Sequence, residues 1–267
     1  MIDIHCHIMP GVDDGAFSPE ESLDMLQIAH DDGVKAMVAT PHVFHIGKFT
    51  AFEKNQRIAF QHTFHELKKS AKAKGIEIEI LQGAEVFFVT DLREKLKEHR
   101  ELLTINNSDY FLLEFPGDAV FPGSEEFIAH LVIDGLIPII CHPERNLVFQ
   151  HNPRLLYRII QAGALAHIDA GSIRGDFGPT AYSSAISLLK HNMVHIIASD
   201  CHNTGSHPPG LSFLYEKLRE IDKEKIAMLV EEVPLAVVTN NAVPDIGPVT
   251  EPGAKTSFFD FLKGFMK

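Results

Sequence analysis

The sequence contains few cysteines, no membrane-length apolar run and no excess of basic residues. Only three of its 267 residues are cysteine, an odd number with no close pair, which is typical of a protein from a reducing cytoplasm. The formal net charge of -12, from 24 basic and 36 acidic residues, argues against nonspecific nucleic-acid binding and against attraction to an anionic membrane surface. No apolar run approaches the roughly 20 residues of a membrane helix. The sequence therefore predicts a cytoplasmic protein that neither binds nucleic acid nor inserts into a membrane.

The few cysteines also lack the sequence context of a catalytic thiolate. They occur at Cys6, Cys141 and Cys201. A cysteine-dependent tyrosine phosphatase needs an arginine six residues after its cysteine, so that loop amides and the guanidinium bind phosphate. The residues at that distance here are Val12, Leu147 and His207. Each cysteine lies next to a candidate ligand in a predicted strand. The strand period of two therefore predicts that its side chain points away from the ligands and is buried.

A His-x-His pair ends the first apolar run. Residues 1–7 resemble a short strand, in which residues two apart point to the same face. His5 and His7 would therefore project together from its carboxyl end, and Asp13 and Asp14 follow closely in a turn. Imidazoles with carboxylates nearby are typical of a metal site. An isolated His-x-His is equally consistent with two solvated or core histidines, so the interpretation depends on whether the pattern recurs.

Strand patterns alternate with helix patterns along the rest of the chain. The predicted strands cover residues 1–7, 35–40, 76–81, 110–116, 137–145, 164–170 and 195–202. The predicted helices cover residues 18–33, 51–74, 90–98, 123–135, 153–163 and 179–191, with two more in 211–231. This alternation favours a parallel α/β barrel or an open parallel sheet. Residues 244–254 are rich in proline and glycine and predict a linker. The aromatic tail at 258–266 is expected to pack on the barrel, with another subunit or a partner as alternatives.

The candidate metal ligands collect at the carboxyl ends of these strands. They are His5, His7, His42, Glu85, Glu114, His142, Asp200 and His202. In a barrel those ends converge on one mouth, where the active site usually lies. Eight such side chains exceed the needs of one metal ion, whereas two or three ions that share carboxylates would use them all. Closely spaced metal ions polarise a phosphoryl group and acidify a bound water molecule, so the pattern predicts metal-assisted hydrolysis of a phosphoester. His167, in mid-strand, is interpreted as structural.

Six stretches of the sequence resemble the polymerase-and-histidinol-phosphatase (PHP) superfamily. They are DIHCHIMPGVDDG near the start, VATPH at 38–42, GAEV at 83–86, LLEF at 112–115, CHPER at 141–145 and IASDCHN at 197–203. Within that superfamily the chain is most similar to bacterial metal-dependent protein tyrosine phosphatases of capsule and exopolysaccharide gene clusters. The resemblance implies a distorted seven-stranded (β/α)7 barrel over residues 1–243, with residues 244–267 as linker and aromatic tail.

The resemblance also implies a role for each matching residue. The ligands of one metal ion would be His5, His7, Glu85 and Asp200. Glu85 would bridge to a second ion, whose other ligands would be Glu114 and His142. The ligands of a third ion would be Asp14, His42 and His202, with the adjacent Asp13 as an alternative to Asp14. Arg145 matches a phosphate-binding arginine.

The chemistry of the family sets further expectations. A hydroxide that bridges two metal ions would be the nucleophile, so no phosphoenzyme is expected. The cofactor would be two or three divalent ions, manganese in the first place, with iron or zinc as alternatives. The substrate would be a phosphotyrosine protein, typically the tyrosine-rich tail of a tyrosine autokinase that controls polysaccharide polymerisation. Two alternatives remain, a PHP-type small-molecule phosphatase such as a histidinol phosphatase and a binding module with a degenerate metal site. A homo-oligomer is left open.

Two positions depart from the pattern of the family. Members commonly carry an arginine where this sequence has His207, and many carry a basic residue or histidine where it has Val43. His207 is therefore expected at the phosphate site. Arginine stays charged at every working pH and histidine does not. The departure thus predicts phosphate recognition that is weaker and that strengthens as the pH falls.

Overall fold

Short strands and helices alternate along the chain. The computed structural model describes residues 1–44 and 54–253. The strands in these residues are β1 (Ile2–Cys6), β2 (Ala36–Ala39), β3 (His42–Val43), β4 (Glu79–Gln82), β5 (Glu85–Phe87), β6 (Tyr110–Glu114), β7 (Ile137–Cys141), β8 (Leu165–Asp169) and β9 (Ile196–Ala198). The α-helices up to β7 are α1 (Pro19–Asp31), α2 (Lys54–Ala73), α3 (Leu92–Glu98), α4 (Arg100–Leu103) and α5 (Ser124–Ile133). The later α-helices are α6 (Leu147–His151), α7 (Pro153–Gln161), α8 (Ala170–Arg174), α9 (Gly178–Lys190), α10 (Leu214–Lys217), α11 (Lys223–Ala227) and α12 (Val233–Val238).

Helix α1 shows how the sequence sets the boundary of an element. The Ser18 hydroxyl accepts a hydrogen bond from the Glu21 amide at 3.3 Å, and Pro19 occupies the first helical position. The Glu21 carboxylate accepts a hydrogen bond from the amide of Phe17 at 2.8 Å. Amides at the start of the helix are thus satisfied from both directions. Gly33, with a φ of 91°, follows the helix and turns the chain towards β2.

All strand pairs in the described chain are parallel, and they form two sheets. The order is β1-β2-β4 in a three-stranded sheet and β3-β5-β6-β7-β8-β9 in a six-stranded sheet. Parallel neighbours need long crossover connections, which the helices provide. The α/β class with parallel sheets is therefore confirmed, but the strands are divided between two sheets where one barrel was predicted.

The division arises because two of the strand paths are interrupted. Residues 40–41 separate β2 from β3, and residues 83–84 separate β4 from β5. Gly83 passes so close to β2 that a Cβ atom at this position would lie 2.8 Å from the Val38 side chain. The Gly83 amide still donates to the Ala39 carbonyl at 3.0 Å. Hydrogen bonding between the two paths thus continues across the interruption.

The first and last strands also meet at their carboxyl ends. Cys6 and Cys201 form an isolated parallel bridge. The His7 amide donates to the Cys201 carbonyl, and the Asp200 amide donates to the His5 carbonyl, both at 2.9 Å. This contact holds the His5–His7 segment beside the segment that follows β9.

Apolar side chains form two buried clusters. The larger contains the apolar residues of β6 to β9 and of the helices against them, with Phe111 and Ile139 fully buried. The smaller packs α1 and α2 on the three-stranded sheet and includes Met25 together with Cys6 and Cys201. Burying a large apolar side chain stabilises the fold by about 1.5–3 kcal/mol. The carboxyl ends of the strands thus lie above two well-packed apolar clusters.

The segment after β9 is more helical than predicted. Helix α11 continues through a π-helix at Met228–Glu232 into α12, which ends at Val238. Residues 240–250 contain no helix or strand, yet Ile246 is buried and its carbonyl accepts a hydrogen bond from the Lys225 ammonium. The predicted division into barrel and linker stays a prediction. The start of the predicted helix at 51–53 and the tail at 258–266 lie outside the described residues. No helix in 1–44 or 54–253 is long and apolar enough to cross a membrane.

Candidate metal centre

The structure brings the predicted ligands together at one edge of the sheets, beside the carboxyl ends of β1, β2, β4, β6, β7 and β9. They come from the ends of β1 and β6, the starts of the short β3 and β5, and the turns after β7 and β9, as His5, His7, His42, Glu85, Glu114, His142, Asp200 and His202. The parallel strands end at one edge, and side chains from distant parts of the sequence therefore meet there.

Four buried side chains surround a common point. The His5 Nε2 atom lies 3.1 Å from the His7 Nε2 atom. It lies 3.3 Å from Oε2 of Glu85 and 3.2 Å from Oδ1 of Asp200. The His7 Nε2 atom lies 3.4 and 3.3 Å from the same two oxygens. Four atoms with these spacings would each lie about 2 Å from their common centre, which is the length of a bond from a metal ion to nitrogen or oxygen.

The charges in this region also fit a bound cation. Within the described chain, Oε2 of Glu114 and Oδ1 of Asp200 are buried and accept no hydrogen bond of ordinary geometry. Burial and the nearby Glu85 carboxylate raise the pKa of Glu114 to about 8. A buried polar atom without a partner costs about 1–3 kcal/mol, and a charged one more. A divalent cation among these carboxylates and imidazoles would remove that cost, so the residues fit a metal ion.

A second group of possible ligands lies on the other side of His7. Oδ1 of Asp14 is 3.3 Å from Nε2 of His42 and 3.7 Å from Nε2 of His202. The His7 and His202 rings stack with centroids 4.0 Å apart. Burial, reinforced by His7, lowers the pKa of His202 to about 4, which keeps its imidazole neutral. A neutral imidazole is the form that binds a metal ion.

Asp13 occupies a different position from its neighbour Asp14. Its Oδ2 accepts hydrogen bonds from Nδ1 of His7 at 2.8 Å and from the His42 amide at 3.2 Å. The turn approaches His7 so closely that a Cβ atom on Gly15 would lie 2.1 Å from the His7 carbonyl oxygen. Asp13 therefore orients His7, as carboxylates commonly do behind a metal-binding histidine. Only Asp14 of the pair reaches the second group.

Glu85 connects the groups because its two oxygens face different partners. Oε2 lies 2.8 Å from Nδ1 of His42, and Oε1 lies 3.0 Å from Nε2 of His142. Oε2 of Glu114 is 3.8 Å from the same His42 nitrogen. Burial alone would lower the pKa of His42, but the Glu85 and Asp14 carboxylates raise it to about 10. The carboxylates around His42 thus favour a positive charge between them, either on the imidazole or on a bound cation.

One sequence prediction about the cysteines is wrong. Cys6 and Cys201 are buried in the smaller apolar cluster, as predicted. Cys141, however, faces the centre, where its sulfur groups with ring nitrogens of His5 and His167. The period of two fails because β7 ends at Cys141, and His142 adopts a left-handed φ of 32° that turns its own side chain inwards as well. Burial raises the pKa of the Cys141 thiol well above its usual value, which disfavours a reactive thiolate.

Arg145 lies at the rim of the centre. Its Nη1 donates to Oδ2 of Asp169 at 3.1 Å and to Oδ2 of Asp200 at 2.8 Å. Its guanidinium carbon is 4.1 Å from the centroid of the Phe177 ring, and the side chain is 34% exposed. The other oxygen of Asp200 faces His5 and His7. Asp200 therefore joins the arginine directly to the candidate metal centre.

His207 reaches the same rim through Phe177. The two rings stack at a centroid distance of 5.1 Å and an angle of 14°. The His207 carbonyl accepts hydrogen bonds from the amides of His202 and Asn203, at 3.0 and 3.3 Å. His207 is therefore close to one predicted ligand, and it shares an aromatic neighbour with Arg145. Its contact with a phosphate stays a prediction.

Asp169 and Phe177 lie at the site although no sequence motif predicted a role for them. Asp169 stands at the carboxyl end of β8, so the signal that identified the other carboxylates applied to it as well. Phe177 follows the short helix α8, and no motif marks it. A Cβ atom on Gly171 would lie 2.9 Å from the Phe177 ring. The missing side chain of Gly171 is thus what lets the ring pack beneath Arg145.

A small cleft opens beside the metal-ligand candidates. Its volume is about 150 Å³, and its lining comprises Glu114, Phe115, Gly117, Cys141, His142, Arg145, Asn146 and Phe149. Asn146 shapes its edge, because its side-chain amide donates to the Pro116 carbonyl at 2.7 Å. An apolar cavity of about this size accommodates one benzene ring. The cleft thus combines charged groups with room for a small ring.

Histidines and carboxylates grouped in this way at the strand ends define the molecule as an α/β protein with a candidate centre for several metal ions. The chain belongs to the family described as capsular polysaccharide synthesis, CpsB/CapC, whose model matches residues 1–239. The tyrosine-protein phosphatase YwqE of Bacillus subtilis is 35% identical over 238 residues, covering 88% of this chain and 91% of YwqE. The tyrosine-protein phosphatase CpsB of Streptococcus pneumoniae is 32% identical over 221 residues, covering 81% and 88% of the two chains.

The fold is also shared with solved structures. A structure described with YwqE of Bacillus subtilis and CpsB of Streptococcus pneumoniae as unique metal-dependent tyrosine phosphatases matches with a TM-score of 0.85 and 31% identity. The match covers 94% of this chain and 99% of the other. A histidinol phosphate phosphatase from Lactococcus lactis matches with a TM-score of 0.51 and 13% identity, over 82% and 91% of the two chains. That second likeness extends to the fold alone.

Proposed function

We propose that this protein is a metal-dependent protein tyrosine phosphatase. The observation that carries the proposal is the group formed by His5, His7, Glu85 and Asp200, whose ligand atoms stand 3.1–3.4 Å apart in the five measured pairs. Membership of the CpsB/CapC family supports the same activity, since its relatives at 29–35% identity are named tyrosine-protein phosphatases.

The distances support the ligand sets that the resemblance implied for the first and third ions. For the second ion, the ring nitrogen grouped with the Glu85 and Glu114 oxygens is that of His42, whereas His142 contacts Glu85 at 3.0 Å. His5, His7, Glu85 and Asp200 would hold the first ion. Glu85, Glu114 and His142 would hold the second. Asp14, His42 and His202 would hold the third, with Asp13 behind His7 rather than among the ligands. The left-handed backbone of Asp200, with a φ of 51°, is rare outside glycine, asparagine and aspartate and commonly marks functional sites.

The surrounding residues would bind and orient the substrate. Bound divalent ions would neutralise charge on the phosphoryl group and make a water molecule more acidic. Arg145 would bind the phosphate, and Asp169 and Asp200 hold its guanidinium at the rim before substrate arrives. The aryl ring of phosphotyrosine would enter the 150 Å³ cleft past Gly117. No cysteine is needed.

Several finer features belong to the same proposal. Mixed imidazole and carboxylate ligands suit manganese, with iron or zinc as alternatives. The substrate would be the phosphorylated tail of a tyrosine autokinase in the cytoplasm. The hydrogen bonds between β1 and the end of β9, and those across the interrupted strands, would make the two sheets a distorted seven-stranded barrel.

Turnover of three substrates in parallel tests the proposal. Protein stripped of metal and then supplied with manganese is assayed with a phosphotyrosine peptide, a phosphoserine peptide and histidinol phosphate. The proposal predicts that kcat/KM is highest for the phosphotyrosine peptide and falls to background without metal. A preference for histidinol phosphate would instead support the small-molecule alternative, and turnover without metal would contradict the mechanism.

A further inference from the structure

His167 lies directly behind one member of the candidate metal centre. It is fully buried in β8, and its Nε2 atom is 2.8 Å from Nδ1 of His5. The two rings meet edge to face with centroids 4.9 Å apart. This hydrogen bond joins residues 162 positions apart in the sequence. It uses the one ring nitrogen of His5 that does not face His7, Glu85 and Asp200.

The direction of that hydrogen bond follows from the chemistry of imidazole. A neutral histidine carries one proton, on either ring nitrogen. If Nε2 of His5 offers its lone pair to a metal ion, the proton must lie on Nδ1. That proton then points at Nε2 of His167, which must accept it. The remaining nitrogen of His167 faces the Ile168 carbonyl at 3.4 Å, so its own proton is directed away from His5.

The neighbouring histidine of the same group has a different partner. Nδ1 of His7 donates to the carboxylate of Asp13 at 2.8 Å, which is the usual arrangement behind a metal-binding histidine. His5 has an uncharged imidazole in that place. The first metal site is therefore supported on one side by an anion and on the other by a neutral ring. The sequence marks Asp13 by its place in the DDG turn, whereas His167 stands alone in an apolar strand.

We propose that His167 is a positioning residue that fixes the proton and the ring orientation of His5 for binding a divalent cation. The inference rests on the proposed metal centre and deepens it. It revises the interpretation of His167 as structural only. Residues behind a metal ligand commonly change metal affinity by 10–100-fold when they are replaced.

Two variants of similar size separate positioning from packing. His167→Gln keeps a side-chain oxygen that can accept the proton of His5, whereas His167→Met fills similar space without an acceptor. Manganese affinity is measured by equilibrium dialysis of each whole chain in the absence of substrate. The expected result is about 10–100-fold weaker binding at one site in His167→Met and recovery of most of that loss in His167→Gln. Equal binding by His167→Met and wild type would overturn the proposal.

His195 provides a matched control. It is another buried histidine beside β8, and its ring accepts a hydrogen bond from the Ala166 amide at 3.2 Å, away from the candidate ligands. His195→Gln and His195→Met are expected to bind manganese as wild type does. If all four variants lose manganese to the same extent, the loss reflects packing and the positioning role of His167 is wrong.

A measurement on the wild type keeps the proposal independent of how well the variants fold, and His5→Ala separates its failure from failure of the metal centre. In zinc-loaded wild type, nitrogen-15 NMR of the imidazoles should show the His5 proton on Nδ1, and a proton on Nε2 would contradict the positioning role. His5→Ala should lose manganese from one site. If His5→Ala keeps full manganese, the proposed metal centre itself is wrong. If it loses manganese while His167→Met does not, only the role of His167 fails.

Discussion

The ends of β1 and β9 present two different environments within a few residues of chain. His5 and His7 face the candidate metal centre, whereas Cys6 between them is buried in an apolar cluster. After β9, Asp200 and Cys201 divide in the same way. One face carries several imidazoles and carboxylates close together, and the other carries the two small cysteine side chains with the single carboxylate of Asp3 beside them. At the end of β1 the strand period of two separates the ligand candidates from the buried cysteine, whereas after β9 the left-handed backbone of Asp200 takes part in that separation.

The two faces also differ in how their buried atoms are satisfied. On the inner face, Oδ1 of Asp200 meets two imidazole nitrogens at 3.2 and 3.3 Å but accepts no hydrogen bond of ordinary geometry from the described residues. On the outer face, the Cys6 amide donates to the Thr40 hydroxyl at 2.9 Å, and the Cys6 side chain is fully buried. Asp3, which groups with Cys6 and Cys201, also has a buried oxygen without a hydrogen bond within the described chain, so the two faces differ chiefly in the number of imidazoles beside the carboxylates.

The largest expected effect comes from removing a ligand on the inner face. Asp200→Ala should lower kcat/KM for a phosphotyrosine peptide by more than about 100-fold, beyond the range of a residue that acts only behind a metal ligand. It should also lower the manganese content. Circular dichroism and the denaturation midpoint show whether the variant is folded. Near wild-type activity with full metal content would show that Asp200 is not a ligand.

A substitution at the cleft is expected to lower kcat/KM by a smaller factor, and by an amount that depends on the substrate. A Cβ atom on Gly117 would meet no heavy atom of the described chain within 4 Å, and Gly117 does not adopt a positive φ. Gly117→Leu should therefore fold normally and fill the entrance. We expect kcat/KM for the phosphotyrosine peptide to fall about tenfold, equivalent to ~1.4 kcal/mol. Turnover of a small alkyl phosphate should change much less.

A second glycine controls for the effect of a bulky side chain at the rim. Gly205 lies in the exposed loop between His202 and His207, and among the described residues a Cβ atom there would meet only Asn203, at 3.7 Å. Gly205→Leu should leave the ratio of the two substrates unchanged. Equal losses in both glycine variants, or equal losses on both substrates, would place the aryl ring outside the cleft.

Replacing His207 by arginine is expected to stabilise the transition state, as measured by kcat/KM, by about 1 kcal/mol. An arginine that stacks on Phe177 as His207 does would carry its charge at every pH, whereas imidazole loses its charge in alkaline solution. The gain in kcat/KM of the variant over wild type should therefore grow as the pH rises, to roughly fivefold at mildly alkaline pH. A ratio that stays flat from mildly acidic to mildly alkaline pH would place residue 207 away from the phosphate.

The smallest effect on catalysis is expected from substitutions on the outer face, which is the face that carries Cys6 and Cys201. Replacing Cys6 and Cys201 together by alanine should leave kcat/KM within about twofold of wild type and lower the free energy of unfolding by about 1 kcal/mol per residue. Thiol-alkylating reagents should not inactivate the native enzyme. Loss of catalysis in a folded, metal-loaded double variant would mean that the outer face takes part in the chemistry. Cys141 is excluded from this test because its sulfur faces the centre.

The sequence was sufficient to predict that the candidate ligands meet, because most of them follow directly on apolar runs that form parallel strands. It could not predict the inward turn of Cys141, since that depends on the left-handed backbone of His142. The role of His167 was also hidden, because a hydrogen bond across 162 residues leaves no local pattern. The split into two sheets follows from the interruptions between β2 and β3 and between β4 and β5, which the hydrophobic pattern does not record.

The metal centre is tested most sharply by a crystal structure of the wild-type chain grown with manganese, with data collected near the manganese absorption edge. We expect an anomalous peak at about 2.0–2.3 Å from Nε2 of His5, Nε2 of His7 and Oδ1 of Asp200. Absence of a peak among these three atoms in crystals saturated with manganese would contradict the proposed metal centre.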